Sequence, residues 1–240
     1  MTSATPETAR GTTPVIGDPA WLAPTYFVLY LAYLFATLEG ELEHLLTMVL
    51  IPVAIAVIFA GPGTGRLGRG LASLGVVPRR MGSGLFLALG LCVAVGLFQI
   101  VASRQGDEIV ALLTSSRALV VLPLVMAFLL FTTALTEEMF FRGYLQTRLE
   151  RLTGSRFAGL LLASVLFGVY HLPYAYLNPM WPSSGDWGAA FSAALGQGIP
   201  GGLILGGLFI YARGNLVAPI LVHAAVDLLP ASTMIRIQGL

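Results

Sequence analysis

The residues best suited to chemistry lie at the end of an uncharged apolar run. Residues 118–135 carry no charge, and the segment that follows, Thr136–Leu145, reads Thr-Glu-Glu-Met-Phe-Phe-Arg-Gly-Tyr-Leu. An ionisable residue near the centre of a membrane helix costs roughly 2.5–3.5 kcal/mol on insertion scales, so three together need a reason. Glu138 and Arg142 are four residues apart, which places them one helical turn apart and predicts an ion pair.

Glu137 has no such partner in the sequence. On an α-helix its side chain points about 100° away from that of Glu138, so it is free to face another part of the molecule. An intramembrane carboxylate without an obvious partner indicates a functional site. Pairing with Arg142 makes Glu138 the weaker base, so we expect Glu137 to act as general base and Glu138 and Arg142 to support it.

Two of the three histidines lie inside apolar segments. His171 follows Phe167 by four residues and His223 precedes Asp227 by four, so the members of each pair share a helix face. We expect Phe167 to be a packing residue that fixes His171. The third histidine, His44, is expected to lie in a solvated loop.

These residue types suit the hydrolysis of an amide bond. A glutamate can take a proton from water, and a nearby histidine can orient that water and pass the proton to the leaving amine. Further donors must stabilise the oxyanion in a dry site. The sequence contains neither the His-Glu-x-x-His zinc helix nor the Gly-x-Ser-x-Gly elbow of other proteases. A two-aspartate mechanism would need Asp186, which falls in a predicted loop.

Taken together, three motifs resemble the signature of the CAAX protease and bacteriocin-processing family, also called the Abi family. They are Glu137-Glu138-x-x-x-Arg142, Phe167-x-x-x-His171 and His223-x-x-x-Asp227, in this order on three late membrane segments. The resemblance covers about Ala118–Leu229 and implies an all-helical intramembrane endopeptidase of the glutamic type. It implies that Glu137 and His171 activate water, and that His223 and Asp227 form the oxyanion side.

Members of that family carry Asn or Asp at the last motif position, where this chain has Asp227. An ionised aspartate cannot donate a hydrogen bond, so Asp227 is expected either to orient His223 or to be protonated. The family was long labelled as metalloproteases, and two glutamates, two histidines and an aspartate would also suit zinc. We favour a site with no metal and no cofactor, because the roles of these side chains are already accounted for. A zinc-dependent protease is kept as an alternative.

Two further alternatives to a protease follow from the same residues. One is a non-proteolytic scaffold or bacteriocin-immunity factor of the same fold. The other is a transporter that uses Glu137 and Asp227 as a proton relay, although the related halves typical of transporters are not visible in the sequence. For the protease, the expected substrate is a membrane protein or peptide, such as a peptide precursor or a membrane-anchored C-terminal tail.

The composition indicates a polytopic membrane protein of a single all-α domain. Of the 240 residues 56% are hydrophobic and only 10% are charged, far below the roughly 25% charge of a soluble domain. All 13 basic residues are arginine, which with abundant Ala and Gly suggests a GC-rich bacterial genome and hence the inner membrane. No basic stripe is interleaved with aromatic residues, which argues against nucleic-acid binding. The single cysteine, Cys92, is expected to be a packing residue.

The hydrophobic pattern predicts seven spans in one bundle, or eight if the sixth is split. We expect a flexible tail over residues 1–20, the membrane domain over 21–230 and a second tail over 231–240. The predicted spans are about 21–38, 45–60, 83–102, 118–151, 157–172, 187–212 and 216–229. Gly196, Gly198, Pro200, Gly201 and Gly202 interrupt the sixth, which predicts one kinked helix or two short ones beside the substrate path. A short interfacial helix is expected within 103–117.

The charges of the loops predict the topology. Basic loops at 61–82 and 148–156, with Arg213, alternate with an acidic loop at 39–44 and a loop without basic residues at 173–186. The positive-inside rule then places the N-terminus in the cytoplasm and, with seven spans, the C-terminus outside. We expect Glu137, His171, His223 and Asp227 to converge on one cavity at intermediate membrane depth.

Overall fold

A computed structural model describes residues 16–38, 40–78, 82 and 84–237, with the side chains of 41 and 234–237 excluded. Within these ranges the protein is helical and contains no β-strand. The predicted all-α class is therefore confirmed. Three parts of the chain to which predictions applied lie outside the described residues: residues 1–15 of the predicted N-terminal tail, the last three residues of the C-terminal tail, and the loop arginines Arg79 and Arg80.

Twelve α-helical segments follow one another in the described part of the chain, and three π-helical segments link some of them. The α-helices are α1 (Leu22–Thr37), α2 (Glu41–Leu45), α3 (Ile51–Phe59), α4 (Arg66–Ser73), α5 (Leu85–Ala102), α6 (Gly106–Leu113), α7 (Ala118–Leu129), α8 (Leu135–Glu138), α9 (Thr147–Thr153), α10 (Arg156–Leu177), α11 (Trp187–Tyr211) and α12 (Val217–Ile237). The π-helices are π1 (Leu46–Leu50), π2 (Leu130–Ala134) and π3 (Met139–Gln146). The short helix α6 lies where an interfacial helix was predicted.

Several helices are long and apolar enough to cross a membrane, as a multi-pass protein requires. In the described residues five reach this length and composition, namely Leu42–Phe59, Leu85–Ala102, Ala118–Thr153, Arg156–Leu177 and Trp187–Tyr211. Two more apolar helices, Leu22–Thr37 and Val217–Thr233, are shorter. The structure thus supports five spans by this criterion and does not confirm the predicted seven to eight.

The segment that carries the glutamates is a single rod of 36 residues, Ala118–Thr153. Its four-residue α-helical turn α8 is enclosed by π2 on one side and π3 on the other. A π-helical turn bonds each carbonyl to the N–H five residues on, which rotates the side chains that follow relative to a regular α-helix. The π2 turn therefore affects the direction in which Glu137 and Glu138 point.

The glycines of the sixth predicted span do not break it, because α11 is one continuous helix with Pro200 inside it. Two of these glycines face α10 instead. A Cβ atom on Gly198 would lie 2.5 Å from the Cα of Gly168, and one on Gly202 would lie 2.7 Å from the Cα of Ser164. The missing side chains allow α10 and α11 to pack backbone against backbone, as small residues do in membrane bundles.

Three predicted boundaries are corrected by the structure. Ile16 and Asp18, placed in the N-terminal tail, are buried, and Asp18 accepts from Arg148 Nε and Arg151 Nη2 at 2.8 Å each. Helix α10 continues through Pro173 to Leu177, beyond the predicted end at 172. Helix α12 continues through Pro230 to Ile237, so much of the predicted C-terminal tail is helical.

An aromatic cluster forms the centre of the bundle, around the glutamate-bearing rod. Phe140 and Phe141 of π3 pack edge to face with ring centroids 5.0 Å apart. Rings of α1 and α10 surround them, namely those of Phe27, Tyr30, Phe167 and Tyr170. Such contacts hold the first and second motif segments against each other.

Candidate active site

Glu138 connects the first and third motifs. Its side chain is fully buried, and its Oε1 atom accepts a hydrogen bond from Nδ1 of His223 at 2.7 Å. The same oxygen lies 2.9 Å from Nη1 of Arg142, which is the ion pair that the four-residue spacing predicted. Because the carboxylate engages both partners at one oxygen, it fixes the ring of His223 on α12 to the helix of the glutamates.

Arg142 is held on two sides. The side chain of Arg142 is only 2% exposed, and its guanidinium pairs with Glu138. The guanidinium also lies over the ring of Phe167, with its central carbon 4.3 Å from the ring centroid. A buried guanidinium is stabilised by an aromatic face as well as by an anion. Phe167 is thus a packing residue, as predicted, and in addition it covers the cation of the first motif.

Glu137 faces away from this ion pair and lines a cavity. Its Oε1 atom accepts a long hydrogen bond from the hydroxyl of Tyr170 at 3.4 Å. Its Oε2 atom lies 3.7 Å from Nε2 of His223. The two adjacent glutamates therefore approach the two different nitrogens of one imidazole.

His171 presents a defined ring nitrogen to the same cavity. Its Nδ1 atom lies 2.8 Å from the backbone carbonyl oxygen of Phe167, one turn earlier on α10. A carbonyl oxygen only accepts, so Nδ1 carries the proton and donates it. In the neutral ring the lone pair is then on Nε2, which can accept a proton or a hydrogen bond from water.

Asp227 lies one turn beyond His223 on α12 and also lines the cavity. Its Oδ2 atom is 3.5 Å from Nε2 of His223, and 36% of its side chain is exposed. This is the contact expected of a residue that orients His223. Among the three carboxylates that approach His223, that of Asp227 is the most exposed.

One cavity of about 480 Å³ brings the predicted site residues together. Glu137, His171, His223 and Asp227 all contribute to its wall, whereas Glu138 and Arg142 lie behind it. The rest of the wall is largely apolar and comes from several helices, with Leu91 and Val95 on α5 and Ala194 and Gly198 on α11 among its residues. An apolar cavity with a few convergent polar groups is the usual form of a binding or active site.

Two residues of this site were missed by the sequence reasoning. Tyr170 contacts Glu137, and its position next to His171 was the only available signal. His44 was predicted to lie in a solvated loop, but it lies on α2, is half-buried and lines the cavity. The acidic residues around His44 suggested a loop, whereas the apolar pattern of the following span already begins there.

Within the described ranges, no three His, Cys, Asp or Glu side chains are placed to hold one metal ion.

Fold and site together define a class: a multi-pass helical membrane protein with carboxylates and imidazoles gathered in a cavity among its helices. The family model described as Type II CAAX prenyl endopeptidase Rce1-like matches residues 119–229. This range contains all three motifs, and the match supports the CAAX protease and bacteriocin-processing family that the motifs predicted. No curated protein and no solved structure gives a significant match to the chain.

Proposed function

We propose that the protein is an intramembrane endopeptidase that hydrolyses a peptide bond with water activated by Glu137 and His171. The family is one of CAAX-type proteases, which supports the reaction class. The observation that carries the finer assignment is the convergence of Glu137, His171, His223 and Asp227 on one cavity. These residues come from three separate helices inside an apolar bundle, where each ionisable group is costly unless it has a role.

In the proposed mechanism a water molecule lies between Glu137 and the free Nε2 atom of His171. Glu137 takes a proton from this water while the oxygen of the water attacks the carbonyl carbon of the substrate. The tetrahedral intermediate then collapses, the carbon–nitrogen bond breaks, and the proton passes to the leaving amine. The fixed Nδ1–H bond of His171 to the carbonyl of Phe167 keeps the lone pair of Nε2 aimed at the water.

His223 and Asp227 are assigned to the oxyanion. When both nitrogens of His223 are protonated, Nδ1 donates to Glu138 and the Nε2–H group can donate to the developing negative charge. Asp227, 3.5 Å from that nitrogen, orients the ring, or donates to the oxyanion itself when it is protonated. Glu138 and Arg142 act indirectly, because they hold His223 in place.

The surroundings of the site favour this chemistry. The cavity wall is largely apolar, and a fixed donor acts more strongly on a charge in a low-dielectric site than in solution. We assign the substrate to membrane-associated proteins or peptides, since the cavity lies among helices that are long and apolar enough for a bilayer. A bacterial inner membrane is the proposed location.

The test is peptide cleavage by the purified full chain in detergent and in liposomes, with products identified by mass spectrometry. Glu137→Gln keeps the shape of the side chain and removes the base, so the rate should fall by roughly 10²–10⁴. Glu108→Gln is the matched control, because Glu108 is exposed on α6 and does not line the cavity. A Glu137→Gln protein that cleaves at the wild-type rate would refute the assignment. A wild-type protein that cleaves none of a broad peptide set would favour the scaffold or immunity factor.

A further inference from the structure

We propose that His44 is a positioning residue of this site, which holds the turn that carries Glu137 by donating a hydrogen bond to Thr136. His44 lies on α2, outside the segment that matches the family model. It lines the same cavity as Glu137, and its Nε2 atom is 2.9 Å from Oγ1 of Thr136. Only its effect on turnover rests on the proposed protease function; the contact and its effect on Glu137 do not.

The direction of this hydrogen bond follows from the other contacts of Thr136. Its hydroxyl oxygen lies 2.6 Å from the carbonyl oxygen of Thr132 and 2.8 Å from that of Thr133. Carbonyl oxygens only accept, so the single hydroxyl proton is committed to them. Thr136 must therefore accept from His44, and this requires the proton of the imidazole to be on Nε2.

The bond ties α2 to the irregular part of the glutamate-bearing rod. Thr132 and Thr133 belong to π2, whose carbonyls are bonded in the i to i+5 pattern, as the N–H of Leu135 to the carbonyl of Leu130 shows. The hydroxyl of Thr136 links this π-helical turn to the α-helical turn that follows. The π-helical turn sets the rotation of the residues that follow it. By holding the hydroxyl of Thr136 against this turn, His44 therefore influences the direction of Glu137.

A second contact leads to the same glutamate. The ring of His44 packs against that of Tyr170, with centroids 6.4 Å apart. The hydroxyl of Tyr170 donates to Oε1 of Glu137 at 3.4 Å. His44 therefore touches both the residue that precedes Glu137 in the chain and the residue that donates to its carboxylate. A side chain with both contacts can orient Glu137 without itself touching the reacting atoms.

The first test measures Glu137 directly and needs no substrate. The purified full chain is treated with a hydrophobic carbodiimide, and modification of Glu137 is followed by mass spectrometry of its peptides. His44→Leu and Thr136→Val should each change the modification rate by roughly three- to tenfold, as the loss of one hydrogen bond would. His44→Gln should stay near the wild-type rate, because its amide nitrogen can replace Nε2 as the donor. The double variant should show no more than the larger single effect.

Two controls separate this role from general damage to the fold. Leu42→Ala alters an exposed residue of the same helix and should leave the modification rate unchanged. The chain has three histidines, so spectra of the ¹⁵N-histidine-labelled protein can identify the tautomer of His44. A ring protonated only on Nδ1, or a His44→Leu protein with wild-type modification of Glu137, would overturn the proposal. So would a His44→Gln protein that behaves like His44→Leu.

The second test measures turnover. If the protein is the proposed protease, His44→Leu should lower kcat by roughly ten- to a hundredfold with little change in KM, as a small misplacement of a catalytic group does. His44→Gln should restore kcat. If the modification rate depends on His44 while the wild-type protein cleaves no peptide, the positioning role stands and the protease function is wrong. If the wild type cleaves and His44→Leu has an unchanged kcat, the positioning role is wrong.

Discussion

Nδ1 of His223 lies 2.7 Å from Oε1 of Glu138, although the two residues are 85 positions apart in the chain. The carboxylate is fully buried and also pairs with Arg142. This bond joins the first and third motifs, and it leaves Nε2 of His223 facing Glu137 and Asp227. The two adjacent glutamates thus have different positions, one behind the cavity wall and one on it.

Removing the charge of Glu138 should destabilise the protein more than removing that of Glu137. Glu138→Gln leaves Arg142 buried without its counter-ion, and breaking a buried pair in this way costs about 3–5 kcal/mol. Glu137→Gln should fold with a thermal midpoint near that of the wild type. Thermal unfolding and turnover should be measured on both variants in the same detergent. A Glu138→Gln protein that is stable but inactive, beside an active Glu137→Gln protein, would show that the roles are reversed.

Arg142→Lys should be weaker in both stability and activity, even though it keeps the charge. Lysine lacks the planar group that lies 4.3 Å from the centroid of the Phe167 ring, and a desolvated contact of this kind contributes about 2 kcal/mol. Phe167→Leu should have a comparable effect on the unfolding free energy, because it removes the same contact from the other side. Full stability and activity in Arg142→Ala would contradict the structural role of the arginine.

Two glycines of α11 should respond differently to the same substitution. Gly198→Ala places a Cβ atom 2.5 Å from the Cα of Gly168 and must separate α10 from α11, at a cost of about 1–3 kcal/mol. Gly207→Ala is the matched control, since a Cβ atom there has no neighbour within 4 Å. It should be neutral or should stabilise the helix by up to about 1 kcal/mol. Equal midpoints of unfolding for the two variants would show that close packing at Gly198 is unimportant.

Asp18 should be essential for stability despite its position before the first helix. It accepts from the buried Arg148 and from Arg151, so Asp18→Asn leaves Arg148 without its anion. The expected loss is about 3–5 kcal/mol of unfolding free energy. Asp107→Asn changes an exposed aspartate and should unfold like the wild type. A truncated protein that begins after residue 20 and retains full stability would contradict this anchoring role.

Activity should persist in the presence of a strong chelator. The proposed mechanism uses only side chains to move the proton and to stabilise the oxyanion, so removal of free and weakly bound metal should leave kcat unchanged. The measurement compares turnover before and after prolonged chelation, followed by addition of zinc. Loss of activity that zinc restores would make the glutamates and histidines candidate ligands and would favour the zinc-dependent alternative.

Local spacing in the sequence determined much of this site. The pairs Glu138 with Arg142 and His223 with Asp227 were predicted correctly, because residues four apart on a helix must be neighbours. The apolar composition likewise indicated an all-α membrane protein, because long continuous apolar runs are the signature of membrane helices. The order of the three motifs was enough to indicate the family.

Contacts between distant segments were decided only by the tertiary structure. The spacing on one helix could not show that His223 bonds to Glu138, or that His44 reaches Thr136, because these pairs depend on how helices pack. The glycines of α11 left open whether the segment is one kinked helix or two short ones. The structure has one continuous helix, and the absent side chains of Gly198 and Gly202 allow α10 to pack closely against it. The π-helical turns on either side of Glu137 were not predicted from the sequence, and they rotate the side chains of this segment relative to a regular α-helix.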